Sequence, residues 1–407
     1  MRNKIMVFGI GLILPAFFLQ MAWADSSELQ ILKEEFNQMR QKMETMQIKI
    51  EQLETGQSKV AQTVKEEVAK EVAEKGPSRL SWHGYFGWHF EDETRNTINP
   101  TFDAFQLSLV SKVDITEKMD LYSQFVYEHA PFYEISVSSA TGARTLDSRS
   151  SGEFTVNDAY VTYTIDEKLK LRAGKFATPF GLWNTLMYAA PTYVTVKQPG
   201  RDTFYDRGSD TELDAYFFGR YSMGAWLLGS YDIFSYDFYV VNGRTTLAQH
   251  RDDNRNKAIG ARLGIDLSLG SSSLKLLYSR YQEELRASTT SPFFRQYTNA
   301  LSLEWTINKF KLTSEIEDSQ RQGAGMTALY VLGQYNLTDK FVPFAQFQFH
   351  DPDKHAPKSK TSYITGGLAY QISPWRAMLK FQVDRVLPDN AIESDYWRFL
   401  TGVAASF

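Results

Sequence analysis

The chain has 407 residues, a net charge of −4, no cysteine and an aromatic content of 14%. This slight acidity gives no reason to expect nucleic acid as a partner, and a chain without cysteine has no disulfide bonds or thiol chemistry. After residue 24 the sequence has no run of about 18 apolar residues, so it predicts no membrane-spanning helix.

Residues 1–24 have the three parts of a signal peptide. Arg2 and Lys4 supply positive charge, an apolar stretch follows from residue 5 to residue 18, and Ala22-Trp23-Ala24 provides small residues at the cleavage site. We expect cleavage after Ala24, because the apolar stretch is short for a retained anchor helix. The remaining chain would have a net charge of −6, since residues 1–24 hold two bases and no acid.

Residues 25–75 are predicted to form an α-helical coiled coil in the periplasm. Their apolar residues alternate spacings of three and four, which is the a/d pattern of a coiled-coil seam: Leu29, Leu32, Phe36, Met39, Met43, Met46, Ile50 and Leu53. Gly76-Pro77 would end the helix. Self-association would bury the seam, and packing against the chain's own barrel or against a cell-wall or periplasmic partner is the alternative.

From residue 78 onward the apolar pattern has a period of two, which is typical of β-strands. Turn-like sequences at 221–224 and at 231–232 leave the strand count open, because two more strands could lie within 211–241 or within 176–210. We predict sixteen strands, at 80–90, 102–113, 118–128, 153–165, 168–175, 211–222, 225–241, 257–268, 272–284, 296–307, 309–318, 325–336, 340–350, 361–372, 375–385 and 396–407.

The predicted connections alternate between tight turns and mostly longer polar loops. This alternation is the pattern of an outer-membrane barrel, with turns in the periplasm and loops outside the cell. A soluble β-sandwich, the other all-β candidate, has no reason to sort its connections in this way. We therefore expect residues 76–407 to form an all-β, antiparallel transmembrane barrel of about 16 strands in the outer membrane.

Charged and apolar side chains also separate by parity within strands. Lys380 and Asp384 share one face of their strand, while Phe381 and Val383 share the other. A charge facing lipid at mid-depth would cost about 2–4 kcal/mol, so the charged face is predicted to line the lumen. Aromatic residues near predicted strand ends, Trp226 among them, suit the girdles at the membrane interfaces.

Two segments carry a family resemblance. Residues 154–182, which include Gly174-Lys175-Phe176 and Pro179-Phe180-Gly181, and the Phe-Tyr-Val-Val-Asn-Gly segment at 238–243 resemble the phosphate-selective porin O and P family. The resemblance implies a sixteen-stranded, trimeric porin in which a long loop folds into the lumen and narrows it. The link at 176–210, the longest in the predicted set, is the candidate for that loop.

The candidate constriction combines bases and acids. The loop contains Lys197, Arg201 and Arg207 beside Asp202 and Asp206. Arg172, Arg376 and Lys380 are predicted on the nearby walls. Phosphate selectivity does not carry over from the resemblance, because the inward bases are interleaved with inward acids. Bases gather on the last two strands and the fifth and acids on strands ten and eleven, and opposed walls of this kind would set a field across the pore.

We expect a passive channel for small hydrophilic solutes, with anions such as phosphate or carboxylates among the candidates. Outer-membrane lipid and lipopolysaccharide are the expected surroundings. One alternative is a sheath around a multihaem electron-transfer protein, which would need more than twenty strands; another is a structural tether that uses the coiled coil. Six scattered histidines without a nucleophile give no indication of an enzyme, and we expect neither a metal nor a cofactor.

Overall fold

The structure is a computed structural model. It describes residue 41 and residues 79–95, 100–128, 132–137, 144–149, 153–186, 193–197, 217–244, 255–285, 292–321, 324–354, 360–372, 376–389 and 394–407. The predicted signal peptide and, apart from residue 41, the predicted coiled coil lie outside these residues, so both stay predictions. In the described part of the chain, no helix is long and apolar enough to cross a membrane.

Residues Arg79–Phe407 form one compact unit. Its strands are β1 (Leu80–Glu93), β2 (Thr101–Thr116), β3 (Met119–Glu128), β4 (Phe132–Val137), β5 (Arg144–Arg149), β6 (Glu153–Thr164), β7 (Lys170–Ala177), β8 (Tyr221–Tyr231), β9 (Phe234–Val241), β10 (Ala258–Leu269), β11 (Ser272–Leu285), β12 (Phe294–Ile307), β13 (Phe310–Arg321), β14 (Ala324–Tyr335), β15 (Phe341–Asp351), β16 (Thr361–Ile372), β17 (Ala377–Pro388) and β18 (Tyr396–Ser406).

Sixteen of these strands form a closed barrel in which β1 pairs with β18. Each strand is antiparallel to both neighbours, and β3 pairs directly with β6. The predicted class, a closed antiparallel barrel of sixteen strands, is therefore confirmed. The strands β4 and β5 form a separate two-stranded sheet within the link between β3 and β6, and the sequence pattern did not predict them.

The barrel closes where the last residue of the chain meets β1. The backbone N–H of Gly84 donates to the carbonyl oxygen of Phe407 at 2.9 Å, and the N–H of Phe407 donates back to Gly84 at 3.0 Å. The Phe407 ring covers Gly84 so closely that a Cβ at position 84 would collide with it. The terminal aromatic therefore fills the space that a side chain on β1 would otherwise take.

The connections differ between the two ends of the barrel. At one end, called the turn end, they have two to five residues, as between β10 and β11. At the other, called the loop end, they have seven to 43 residues, with the exception of the two-residue link 322–323 between β13 and β14. The predicted alternation is thus observed with one exception.

The bounds of β8 and β9 differ from the prediction. The expected turn near Gly224 is inside β8, because Gly224 pairs with Gly174 on β7 and with Val241 on β9. The actual turn follows Tyr231, and Asp232 has a φ of 54° there. Residues 221–224 and 231–232 both have the composition of a turn. Only the pairing of residues 221–224 with β7 and of Gly224 with β9 shows that this segment is part of a strand.

The two faces of the strands follow the predicted parity. Lys380, Asp384 and Glu315 face the lumen and are buried, while Phe381 and Ile316 face outward and are exposed. Trp226 departs from the expectation of an interfacial girdle. It faces the lumen and is buried, because its indole N–H donates to Asp237 at 2.9 Å on the inner wall.

Candidate functional site

The link between β7 and β8, residues 178–220, is called the inner loop here. Three segments of it are described: 178–186, 193–197 and 217–220. Each of these segments contacts side chains that point into the lumen. The described segments of the inner loop therefore lie inside the barrel.

The first segment docks on β10, β11 and β13. The backbone N–H of Gly181 donates to the hydroxyl of Ser279 at 3.0 Å, and the N–H of Leu182 donates to the carboxylate of Glu315 at 2.5 Å. The guanidinium of Arg262 donates to the carbonyl oxygen of Gly181 at 3.0 Å. Backbone groups of this segment are thus satisfied by inward side chains of the barrel wall, as buried backbone groups require.

The sequence around Gly181 explains why the chain leaves the strand direction here. Gly181 has a φ of 62°, which an L side chain rarely adopts. A Cβ at this position would also lie 2.7 Å from a carboxylate oxygen of Glu315. Asn184 stabilises the turn, because its amide donates to the carbonyl oxygens of Thr178 and Arg220 at 2.7 and 3.0 Å.

The second segment docks on β1 and β17. The backbone N–H of Val196 donates to the side-chain oxygen of Gln382 at 2.8 Å. The ammonium of Lys197 lies 2.8 Å from the carboxylate of Glu91. The ammonium of Lys380 lies 4.1 Å from the centre of the Tyr193 ring, which is a cation–π distance.

The third segment returns toward β8 along β11 and β12. The amide of Gln296 donates to the carbonyl oxygen of Phe217 at 2.8 Å. Phe218 packs against Phe180 of the first segment, with 4.4 Å between ring centres, and against Tyr281 of β11. These rings form an apolar contact between the start and the end of the inner loop.

The contacts of Gly181 and Lys197 lie on opposite walls. In the order of the barrel, seven strands separate β11 from β1 in either direction. Because Gly181 is bonded to β11 and Lys197 to β1, the inner loop crosses the lumen. The prediction that this link folds inward is confirmed for the described segments.

Inward bases around the inner loop are paired with acids. Each pair joins two strands, the inner loop to a strand, or, for Arg244, the link between β9 and β10 to β11, with nitrogen–oxygen distances of 2.6 to 2.8 Å. They are Arg398–Asp384, Lys197–Glu91, Arg262–Asp237 and Arg244–Glu283. Arg398 also lies 3.7 Å from Glu91, so this base on the last strand is balanced by two neighbouring carboxylates.

Arg172 has a different environment. Its guanidinium lies 3.9 Å from the centre of the Tyr160 ring and 4.3 Å from that of Trp226. It donates to the hydroxyl of Thr162 at 3.3 Å, and it forms no ion pair with any residue that the structure describes. Arg172 is therefore a lumen base whose closest contacts are aromatic rings and a hydroxyl.

The predicted constriction residues fall into three groups. Lys197, Lys380 and Arg172 lie in the lumen, the first two at the inner loop. Arg376 instead lies in the turn before β17, where it is exposed and has a φ of 46°, so it is not on the wall that was predicted for it. The remaining four lie outside the described residues: Arg201, Arg207, Asp202 and Asp206.

Glu91 was missed by the sequence reasoning. The first strand was predicted to end at residue 90, whereas β1 continues to Glu93. Extending the same parity by one residue would have placed Glu91 on the inner face. Its pairing with Lys197, 106 residues later in the chain, has no local signal.

Comparison with known proteins gives a family match and several structural matches. Residues 132–262, which include β6 to β9 and the inner loop, match the model of the family described as phosphate-selective porin O and P. The resemblance noted from the sequence is thus confirmed over this part of the chain. Among curated proteins, no sequence matches the chain.

Solved structures of similar fold are outer-membrane barrels. Salmonella typhi OmpF in complex with daunomycin has a TM-score of 0.56 and 12% identity over 81% of this chain and 97% of that one. Pseudomonas putida OprB at high pH has a TM-score of 0.55 and 9% identity over 83% of this chain and 96% of that one. A trimer form of Vibrio cholerae OmpT has a TM-score of 0.51 and 12% identity over 81% of this chain and 99% of that one. The chain has the fold of an outer-membrane porin.

Proposed function

We propose that this chain forms a passive, water-filled channel in the outer membrane through which small hydrophilic solutes diffuse. The observation that carries the proposal is the inner loop, which is bonded to β11 through Gly181 and to β1 through Lys197. A loop across the lumen would narrow a barrel of this size and leave a path for small solutes. Polar and charged inward side chains keep such a path wet.

The charges around the loop favour solutes of either sign over phosphate alone. Selective binding of phosphate uses several bases whose donors are free for the anion. In the described residues, the bases Lys197, Arg262 and Arg398 already have carboxylate partners. Arg172 adds positive potential without an ion pair, which supports a weak preference for anions, with carboxylates and phosphate among the permeating solutes.

A homotrimer is the proposed assembly. The Vibrio cholerae OmpT structure of similar fold is a trimer form, and the predicted a/d seam of residues 25–75 would be buried by self-association. Lipid and lipopolysaccharide of the outer membrane would surround the trimer. The coiled coil would stand in the periplasm, free to contact the cell wall or another periplasmic partner.

The alternative functions have less support. A sheath for a multihaem protein calls for more than twenty strands and an open lumen, whereas this barrel has sixteen strands and a loop across its lumen. A tethering role rests on residues 25–75 and is compatible with a channel. The channel is therefore the function that the described residues support best.

Liposome swelling tests the proposal directly. Proteoliposomes should swell in neutral sugars at rates that fall steeply with sugar size, and should swell in both sodium phosphate and a sodium dicarboxylate. Empty liposomes are the control. Failure to swell in small sugars by correctly folded, heat-modifiable protein would contradict the channel, and swelling in phosphate alone would contradict the broad solute range.

A further inference from the structure

The outer face of the barrel has a groove of about 560 Å³ across strands β7 to β11. Its size is within the range of about 300–1,000 Å³ that is typical of small-molecule pockets. The outward side chains that line it are apolar except for two polar residues on β11, Arg280 and Gln282. They are Leu171, Ala225, Leu227, Phe238, Val240, Ile259, Ala261, Arg280 and Gln282.

The groove faces the surroundings of the barrel and not its lumen. Phe238, Val240 and Ile259 are each about half exposed, and they alternate along their strands with buried inward residues. The small side chains of Ala225 and Ala261 leave a depression between these larger ones. An apolar depression on this face is filled in the membrane by a hydrocarbon chain.

Arg280 lies at one end of this groove and points outward. It is exposed, and its guanidinium donates to the side-chain oxygen of Asn299 at 3.3 Å. Within the described part of the chain it forms no ion pair. A charged side chain on the lipid face is unfavourable, more so the deeper it lies, so Arg280 would be stabilised by an anion from the membrane.

The height of Arg280 assigns it to the outer half of the membrane. It lies eight residues beyond Ser272, the first residue of β11. With a rise of about 3.3 Å per residue and a strand tilt of about 40°, this is about 20 Å above the turn end, in an apolar band about 25 Å tall. The turn end is periplasmic in outer-membrane barrels, so the leaflet next to Arg280 is the outer one.

The groove descends from Arg280 along one row of paired residues. Arg280 pairs with Ala261, Ala261 with Phe238, Phe238 with Leu227, and Leu227 with Leu171. Leu171 is the second residue of β7, close to the turn end. The row therefore begins with a cation near the outer leaflet surface and continues as an apolar path toward the turn end.

We propose that this groove binds an acyl chain of a lipopolysaccharide molecule, with Arg280 contacting a phosphate group of its lipid A. The arrangement matches that lipid in polarity and in direction, because its phosphates lie at the outer surface and its chains descend from them. The site is on the lipid-facing side of the barrel wall, so binding there does not depend on any solute that crosses the lumen.

The test uses the full-length protein and three variants. Arg280→Gln removes the charge, Ala261→Phe fills the groove, and Arg280→Lys keeps the charge. The matched control is Arg385→Gln, because Arg385 also faces outward and lies eight residues beyond the first residue of its strand, but is paired with Asp395 at 3.2 Å. Heat-modifiable migration in gels establishes that each variant is folded.

The readout is the affinity for purified lipid A in detergent, measured by native mass spectrometry. Arg280→Gln should bind about tenfold more weakly, as expected for the loss of one charge-assisted hydrogen bond. Ala261→Phe should also bind more weakly. Arg280→Lys should bind within a few-fold of the unaltered protein, and Arg385→Gln should match it.

Three results would overturn the proposal. Unchanged lipid A binding by both Arg280→Gln and Ala261→Phe would show that the groove is not the site. Equal binding of phosphatidylglycerol and lipid A would show that the site does not distinguish lipopolysaccharide from a phospholipid. If the oligomer dissociates in both Arg280→Gln and Ala261→Phe while lipid A binding is intact, this face is a contact between subunits.

Discussion

Lys197 of the inner loop forms an ion pair of 2.8 Å with Glu91 on β1. Sixteen residues earlier, the same loop is bonded to Ser279 on β11, which stands opposite β1 in the barrel. The loop is thus held at both sides of the lumen. This arrangement makes the contacts at the two walls separately testable.

Gly181→Ala should loosen the first contact. The added Cβ would meet the Glu315 carboxylate, and the residue would keep a φ that L side chains disfavour. We expect a larger and noisier single-channel conductance in planar bilayers. Gly366→Ala is the matched control, because a Cβ at Gly366 meets no atom within 4 Å. Equal conductance in both variants would mean that the Gly181 contact does not hold the loop.

Asp384→Asn and Arg398→Gln should change ion selectivity in opposite directions. The two side chains form a buried pair of 2.7 Å. Loss of the carboxylate leaves a positive charge at the loop and should favour anions, while loss of the guanidinium should favour cations. Removing one partner of a buried pair also costs about 3–5 kcal/mol of stability. Reversal potentials in a potassium chloride gradient measure the selectivity, and shifts of the same sign in both variants would refute this reasoning.

Neutralising the bases of the inner loop should favour cations. In the triple variant Lys197→Gln, Arg201→Gln and Arg207→Gln, Glu91 loses its partner in the loop and the path becomes more negative. The reversal potential should shift toward cation selectivity. Arg376→Gln is the control, because Arg376 is exposed in the turn before β17. A shift as large in this control would mean that any lost base has the same effect.

The predicted coiled coil can be tested by charge in its seam. Changing Met43 and Met46 to Asp would place carboxylates at a/d positions, where burial of a charge is unfavourable. We expect weaker self-association of residues 25–75 and a less stable trimer in mild detergent, measured by light scattering. Two Asp substitutions at Glu34 and Glu51, outside the seam, should have no effect. An intact protein that is monomeric before any substitution would exclude the trimer.

Local sequence patterns were sufficient for most of the barrel. The alternation of polar and apolar residues indicates which side of a strand faces lipid, because the two faces meet different solvents. Lys380, Phe381 and Gln382 are an example. The hairpin of β4 and β5 was missed, since its strands have only six residues each, which is too short for a period of two to be recognised in the sequence. The exception between β13 and β14 shows that loop length is not imposed by the barrel itself.

The candidate site was less predictable than the fold. Its decisive contacts join distant parts of the chain, such as the bond between Val196 and Gln382, which are 186 residues apart. These contacts depend on the arrangement of strands in the closed barrel, where β1 lies beside β18. The mixture of charges in the loop was readable from sequence, but the partner of each charge was not, as Lys197 and Glu91 illustrate.

Deleting residues 185–200 tests the central claim most directly, because this removes the segment that docks on β1 and β17 while keeping the Gly181 contact. Single-channel conductance in planar bilayers should be clearly larger for the deletion variant than for the unaltered protein. The deletion variant should also be less ion-selective than the unaltered protein. Equal conductance and selectivity of the two proteins, both folded by heat-modifiable migration, would contradict a channel narrowed by its inner loop.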